Sequence, residues 1–460
     1  MPPLELPRQS NPGRYGADGA ARLINCHPES RGREGKAAFG LYASDGLKLF
    51  STLAGGGGVR GMISVDSNGY VVSGRQVFKV DQSGVSTALG GFPGDGPVFM
   101  ARNQKATPQI CMVGAAGRFI IENDIITSIS DTDLPPPNSV VFHNQRFVLT
   151  IPNGRFHWSG ISDGLSYNSL DFATAEYAAD GLVRGVIRRS ELLLFGTKTI
   201  EPWYTPGSGN STYLPSGSVI ERGCLAGGSV AMVEGEPMFV ADDSTVRLLS
   251  GYQAVTVSNH AVERSIRDTA SPGEIRAFSF NKDGHSFYVL SGVDFSWQFD
   301  LTTKSWVERI SYGLDRWRAE SYMELGGKRI VGDYSLGNLY EVDGDTYDEN
   351  GDPLIMTVQI PVHAFPRKIK LSEFRVDTIP GQGTATLDPK LIVKTSKNGG
   401  KTFGNERHIP MGKIGEYFKQ VRVNGLGMSK EDGFVISVSS SAAVVKAVIS
   451  AFARYQIMEH

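Results

Sequence analysis

The sequence predicts an all-β protein, a six-bladed β-propeller followed by a C-terminal β-sandwich-like domain. Three observations carry that expectation. Short apolar runs such as Arg146-Phe147-Val148-Leu149 and Glu191-Leu192-Leu193-Leu194-Phe195 are bounded by polar or Gly residues, the pattern of buried strands. Paired runs flanking turn residues recur at intervals of roughly 40–50 residues, the period of a four-stranded propeller blade. The composition is also that of a folded, loop-rich chain: of 460 residues, 55 are Gly and 23 Pro, 40% are hydrophobic and only 20% charged.

In chain order, residues 1–35 are rich in Pro, Gly and Arg and read as an N-terminal arm. Leu23 to Cys26 is its one short strand candidate. Residues 36–345 read as the propeller. Tyr70-Val71-Val72 and Val77 to Val80 flank a turn at Ser73 to Gln76. Gln109 to Val113 and Arg118 to Glu122 flank Gly114 to Gly117. Pro237 to Val240 and Val246 to Leu249 flank Asp242 to Ser244. Ser286 to Leu290 and Ser296 to Asp300 flank Ser291 to Asp294, and Arg329 to Gly332 and Leu339 to Val342 flank Tyr334 to Asn338. In the central stretch Asn138 to Tyr204, Val140 to Ile151, Gly154 to Trp158 and Leu182 to Phe195 each read as one strand. About 300 residues at this spacing accommodate about six blades, which must stack in a closed ring because one blade cannot bury both its faces.

The acidic turn Asp343 to Pro353 marks a domain boundary. Residues 354–460 read as the second β domain, with strands at Leu354 to Ile360, Ile369 to Val376, Lys390 to Thr395, Phe418 to Val423, Gly433 to Ser439 and Val444 to Tyr455.

Charge and cysteine content exclude several classes. A formal net charge of −2 supplies no general basic field for nucleic acid. Cys26, Cys111 and Cys224 are too few and too widely spaced for a disulfide framework or a zinc pattern, which favours folding in a reducing cytosol. The N-terminus lacks the apolar core of a secretory signal, and no run of eighteen apolar residues predicts membrane insertion.

Several local patterns resemble chemical motifs. Gly160-Ile161-Ser162-Asp163-Gly164 matches G-x-S-x-G, but Leu165 to Ser169 is a poor helix start, so a turn is the better reading. Counting an EF-hand loop from Asp348 puts Pro353 where Gly is needed and Gln359 where Glu is needed, leaving a solvated acidic turn. Gly55 to Gly61 lacks the G-K-[ST] ending of a phosphate loop and reads as a flexible turn. Ser396-Lys397-Asn398-Gly399-Gly400-Lys401-Thr402-Phe403 is similar to the Asp-box hairpin of sialidase propellers, with Asn398 and Phe403 in place of Asp and Trp. The eight histidines show no metal-ligand spacing, and His143 and His157 read as packing residues on strands. No catalytic, cofactor or metal site is therefore expected, and no enzyme activity.

An ordered set of landmarks resembles the packaged-DNA stabilisation proteins of short-tailed phages, also called tail hub or nozzle proteins. The set comprises Arg22 to Asn25, Gly40-Leu41 through Phe50, Gly58-Val59-Arg60-Gly61, Asp180 to Val186, Leu193 to Glu201 and Ile220 to Ala226. The resemblance covers nearly the whole chain and is weaker past Pro353. It implies a homo-oligomeric ring, a hexamer, in the virion tail, assembled in the host cytoplasm. Such a ring extends the DNA channel below the portal-adaptor protein and retains packaged DNA. It gives attachment to tailspikes or fibres and to a tail needle or tip. Double-stranded DNA would pass through it without sequence-specific binding. The rival expectations are a propeller-type glycan hydrolase and a host-surface glycan-binding module. Asp180, Glu201 and Trp203 are expected to fix turns and strand packing within a blade.

Overall fold

A computed structural model of the chain describes residues 1–14, 19–32, 38–131, 134–178, 180–207, 211–362, 367–430 and 433–458. The expected arm boundary at residue 35 lies outside the described residues. Strands dominate, and the single α-helix among the described residues, His260–Asp268, is capped by the Asn259 side chain, which accepts from Ala261 N and Val262 N.

The sheet order gives seven blades among the described residues, not six. Their innermost strands begin at Val59, Val98, Ser139, Leu182, Ala231, Arg276 and Ala319. The first intervals are short because tight hairpins join the strands, and this makes room for the extra blade. Two of the long strands expected in the central stretch are in fact hairpins. Asn144-Gln145 separates Ser139–His143 from Arg146–Thr150, and Arg189-Ser190 separates Leu182–Arg188 from Glu191–Gly196. Asn144, Gln145 and Arg189 adopt φ of 45°, 63° and 56°, which two-residue hairpins require but which these sequences do not advertise with Gly.

The ring closes with borrowed chain. Blade 7 takes its inner three strands from Ala319–Leu325, Lys328–Asp333 and Asn338–Asp343, and its outermost from Gly46–Thr52 near the N-terminus. Blade 7 then packs on blade 1 through Leu53, Val59, Val71, Phe78, Met323, Ile330 and Leu339. The Gly55 to Gly58 link is close-packed, not flexible: a Cβ at Gly58 would lie 1.9 Å from the Tyr334 carbonyl oxygen, and one at Gly55 2.1 Å from that of Ser73. Between the other blades, apolar faces interdigitate in the same way, as at Ala101, Val113, Ile120, Val140, Phe147 and Leu149 between blades 2 and 3.

The second domain is a two-layered β-sandwich, and residues read as a free arm are built into it. One layer runs Cys26–Ser30, Phe39–Ala43, Ala447–Ile457, Ile369–Thr378, Val421–Met428, with Pro3–Leu4 added on Ala447–Ile457. The other runs Ala20–Ile24, Met356–Val362, Phe434–Ser440, Lys390–Ser396, Arg407–Pro410. Their shared core contains Leu23, Cys26, Leu41, Val358, Ile360, Phe374, Val423, Phe434 and Ile436. Most of these strands are not legible locally because they are short, several bear Pro, and the sheets they join are completed by the far end of the chain.

The two domains are joined by pairing as well as by covalent linkage. Ile24 pairs in parallel with Glu308 on the outer strand of blade 6, so blade and sandwich share one sheet. Asn25, at φ 53°, donates to the carbonyls of Ile310 (2.7 Å) and Ile355 (3.0 Å) and accepts from Ile310 N (3.0 Å). Arg22 holds the Glu308 carboxylate through two nitrogens. The acidic turn between the domains is equally occupied. Glu349 is fully buried, accepts from Trp317 Nε1 at 2.9 Å and pairs with Arg318 at 3.4 Å, while Asp352 takes the other side of Arg318 at 2.6 Å. Burial raises the Glu349 pKa, opposed by Ser311, Arg309, Arg318 and Trp317.

Two stability measurements check this closure. Leu47, fully buried on the borrowed strand, should cost about 2–5 kcal/mol when changed to Ala. Leu49→Ala on its exposed face should stay within about 0.5 kcal/mol. Glu349→Ala removes the fully buried carboxylate that meets Arg318 and Trp317 Nε1 and should lower denaturant stability by about 3 kcal/mol.

Candidate functional site

The chemical motifs flagged in the sequence resolve into architecture. Ser162 is in the two-residue turn between Arg155–Gly160 and Asp163–Thr174 with φ 53°, and a strand follows it where a nucleophile elbow needs a helix. Gly164 is packed so closely that a Cβ would meet Ile120 Cδ1 at 2.4 Å, and its N–H donates to Gln109 Oε1 at 2.8 Å, tying blade 3 to blade 2. The Asp-box-like segment lies in the sandwich. Ser396 Oγ accepts from Gly400 N at 2.9 Å, and Asn398 Oδ1 accepts from Thr402 N at 3.0 Å, so Asn398 performs the turn-closing role of the usual Asp.

Asp180, Glu201 and Trp203 hold blade 4. Asp180 Oδ2 accepts from the backbone of Lys198 (2.6 Å) and Thr199 (3.0 Å). Glu201 accepts from Tyr177 N at 3.1 Å and from Trp203 Nε1 at 3.3 Å, and the indole meets Phe156 edge-on at 4.9 Å. His143 contacts the Ser190 carbonyl at 3.0 Å, and His157 stacks on Phe172. In the acidic turn, Asp343 closes its own loop on Asp345 N and Thr346, while Glu349 and Asp352 turn toward arginines. Among the described residues no group of three His, Cys, Asp or Glu side chains is placed to hold a metal ion.

Three features went unread in the sequence. The first is a contact between two non-adjacent blades. The Arg184 guanidinium, from the inner strand of blade 4, lies 3.8 Å over the Phe99 ring from the inner strand of blade 2. Blade 3 stands between those blades, so the pair bridges its two neighbours. Among the described residues Arg184 Nε and Nη1 have no hydrogen-bond partner, and burial lowers its pKa to about 10. The V-R-G pattern at 59–61 and 183–185 hints at equivalent strands, but only the ring brings Arg184 and Phe99 together.

The second feature is the contrast between the two faces of the propeller, where its inner strands begin and where they end. One holds a cavity of about 300 Å³ where Arg276 and Arg316 grip Glu320 at 3.1 and 2.8 Å. The other is a hollow of about 500 Å³ bearing Glu234, Glu324, Glu341 and Asp343 beside Lys328 and Arg329.

The third is a cavity of about 380 Å³ at the domain junction, lined by His27, Ser44, Asp45, Lys282, His285, Tyr347 and Lys446 among others. Asp45 pairs with Lys282, and His285 Nδ1 with Asp300 at 2.7 Å. His27 Nδ1 and Ser44 Oγ are buried without a hydrogen-bond partner among the described residues. Burial first, then the charges of Lys282 and His285, lower the His27 pKa to about 4, and burial also lowers the Lys446 pKa to about 8.

Folding therefore prefers neutral His27. Its contribution is present above the unfolded value near 6.5 and is lost as pH falls toward about 4, by roughly 3 kcal/mol. Denaturant titrations between pH 7 and 4 should show wild-type stability falling and His27→Phe falling less. His143 and His157, also shifted down by burial, act in the same direction and keep the residual slope above zero. Equal slopes for the two proteins would rule out His27 as a contributor.

Comparison with known proteins places the chain. A family model described as bacteriophage P22 Gp10, beta-propeller, matches residues 20–347, and one described as bacteriophage P22 Gp10, beta-sandwich, matches residues 362–453. No curated protein sequence matches it. Solved structures similar to it include the WD40 β-propeller domain of Doa1, at 14% identity over 64% of this chain and 96% of that one, with a TM-score of 0.42. The RRP9 WD40 repeats match at 11% identity over 65% and 99%, with a TM-score of 0.42. PorZ of Porphyromonas gingivalis matches at 10% identity over 72% of this chain and 44% of that one, with a TM-score of 0.38. At those scores the likenesses carry no functional information. The two family matches, consecutive and covering both domains, do: the chain belongs to the bacteriophage P22 Gp10 family of packaged-DNA stabilisation proteins, structural proteins of the phage virion.

Proposed function

We propose that this chain is a tail hub, or nozzle, subunit. Several copies form a ring that extends the DNA channel below the portal-adaptor protein and retains the packaged genome. The same ring offers attachment to tailspikes or fibres and to a tail needle, sits in the virion tail and assembles in the host cytoplasm. The observation that carries this reading is the pair of family matches along one chain, 20–347 and 362–453.

One physical feature supports it. The net charge of −2 lets DNA slide past without the strong phosphate binding that a basic lining would impose. Ring closure then follows from repeating one heterologous contact.

Phage heads filled in a host that makes no copy of this protein should lose DNA on standing, and purified protein added to them should stop the loss. Heads that keep their DNA equally well without it would overturn the reading.

A further inference from the structure

We propose that copies of this chain join head to tail through two surfaces at opposite ends of the molecule. One is the outer strand of blade 3, Asp163–Thr174, and the other is the loop 411–420 of the sandwich. The proposal rests on the ring reading above and names its contact surfaces.

Topology places both surfaces at extremes. The sandwich joins the propeller at the outer strands of blades 6 and 7. Blade 3 is three blades from blade 6 in one direction and three from blade 7 in the other, so it faces directly away from the sandwich. Within the sandwich, Arg407–Pro410 is the last strand of the layer that continues blade 6, and Val421–Met428 is the last strand of the other layer. The loop 411–420 connects these two edges, so it caps the rim farthest from the propeller.

Both surfaces expose apolar side chains that nothing in the monomer covers. On blade 3, Ser159 pairs with Tyr167 and His157 with Phe172, leaving residues 168–171 to swell outward opposite Trp158. Leu170 at that swelling is 80% exposed. Leu165 on the same strand, Ile161 in the turn before it and Tyr177 just after it are exposed too, and among the described residues the strand's outer edge is unpaired. Unprotected edges of this length are uncommon in proteins that remain monomeric. On the loop, Phe418 is 98% exposed beside exposed Ile414 and Tyr417. The loop is nonetheless held: Met411 N donates to Pro389 O at 2.7 Å, Glu416 N to Lys413 O at 3.0 Å, and Gly381 leaves room for the Tyr417 ring. Phe418 is therefore presented on a fixed support.

Charge selects the occupant. Residues 161–178 carry Asp163, Asp171 and Glu176 and no Lys or Arg, although Arg155 of the neighbouring strand lies over Phe172. The loop presents Lys413 and Lys419, and its one carboxylate, Glu416, is engaged locally with Lys413 N at 3.0 Å and Lys419 at 3.7 Å. Blade 3 against a second blade 3 would set three carboxylates against three. Blade 3 against the loop pairs acidic with basic and apolar with apolar. Two unlike surfaces at opposite ends give a heterologous contact, which closes into a ring when the rotation per subunit divides the circle.

The test uses cysteine pairs, since Cys26, Cys111 and Cys224 are all buried. Full-length chain carrying Leu170→Cys and Phe418→Cys together, assembled at high concentration with the portal-adaptor protein and treated with a short bismaleimide, should give a ladder of covalent oligomers. An equimolar mixture of the two single variants should stop at dimers. Phe418→Asp should leave the unfolding midpoint unchanged and raise the concentration needed for assembly by about tenfold or more. Rings that form but do not cross-link, or dimers from Leu170→Cys alone, overturn these surfaces and leave the ring reading intact. A chain that stays monomeric at every concentration, with the adaptor present, overturns both.

Discussion

Everything in this molecule depends on one pairing, the strand Gly46–Thr52 along the outer edge of blade 7. It brings the beginning of the propeller sequence against its end and converts a row of blades into a ring. Closing a loop of a few hundred residues costs roughly 5 kcal/mol of chain entropy. Burial of Leu47 against Phe280, Trp317, Val331 and Tyr340, and of blade 7 on blade 1, offsets it. The residues just before this strand belong to the sandwich, so the same pairing anchors the second domain. Neither domain is complete without the N-terminal segment, and neither can swing freely about a linker.

That rigidity extends to the junction between the domains. Blade 6 and the sandwich share a sheet, Asn25 bonds to both, and the acidic turn between them is filled by the buried Glu349 and its arginine and tryptophan partners. A buried ion pair is a weak source of net stability, but breaking it leaves a charge without a partner. Its effect is to make one relative placement of the domains much better than its neighbours. The junction cavity with His27 and Ser44 is the exception, a polar space left inside an otherwise close-packed seam.

The local hairpins were legible from residues alone because their information is local. Ser73-Gly74-Arg75-Gln76 and Asp242-Asp243-Ser244 announce turns through residues that tolerate or cap them. Asn144-Gln145 and Arg189-Ser190 do not, so two hairpins read as single strands; the blade count fell one short for a different reason, the short intervals between the first blades. The Asp-box-like turn was readable as a hairpin, although its place in the sandwich was not. Asp180, Glu201 and Trp203 were rightly read as fixing blade 4, since carboxylates beside a Gly-Thr turn and a tryptophan on a strand have few other uses there.

By itself, then, the sequence determined the strand-rich composition, most of the turns, five of the six C-terminal strand segments (the one expected from Phe418 begins only at Val421) and the family resemblance, because each depends on residues close together in the chain. The tertiary structure decided the seventh blade, the incorporation of the arm into the sandwich, the contact of Arg184 with Phe99 past blade 3, and the opposite placement of the two exposed apolar surfaces. All four depend on contacts between residues far apart in sequence, and no propensity or period encodes which distant strand a short, half-polar segment will meet.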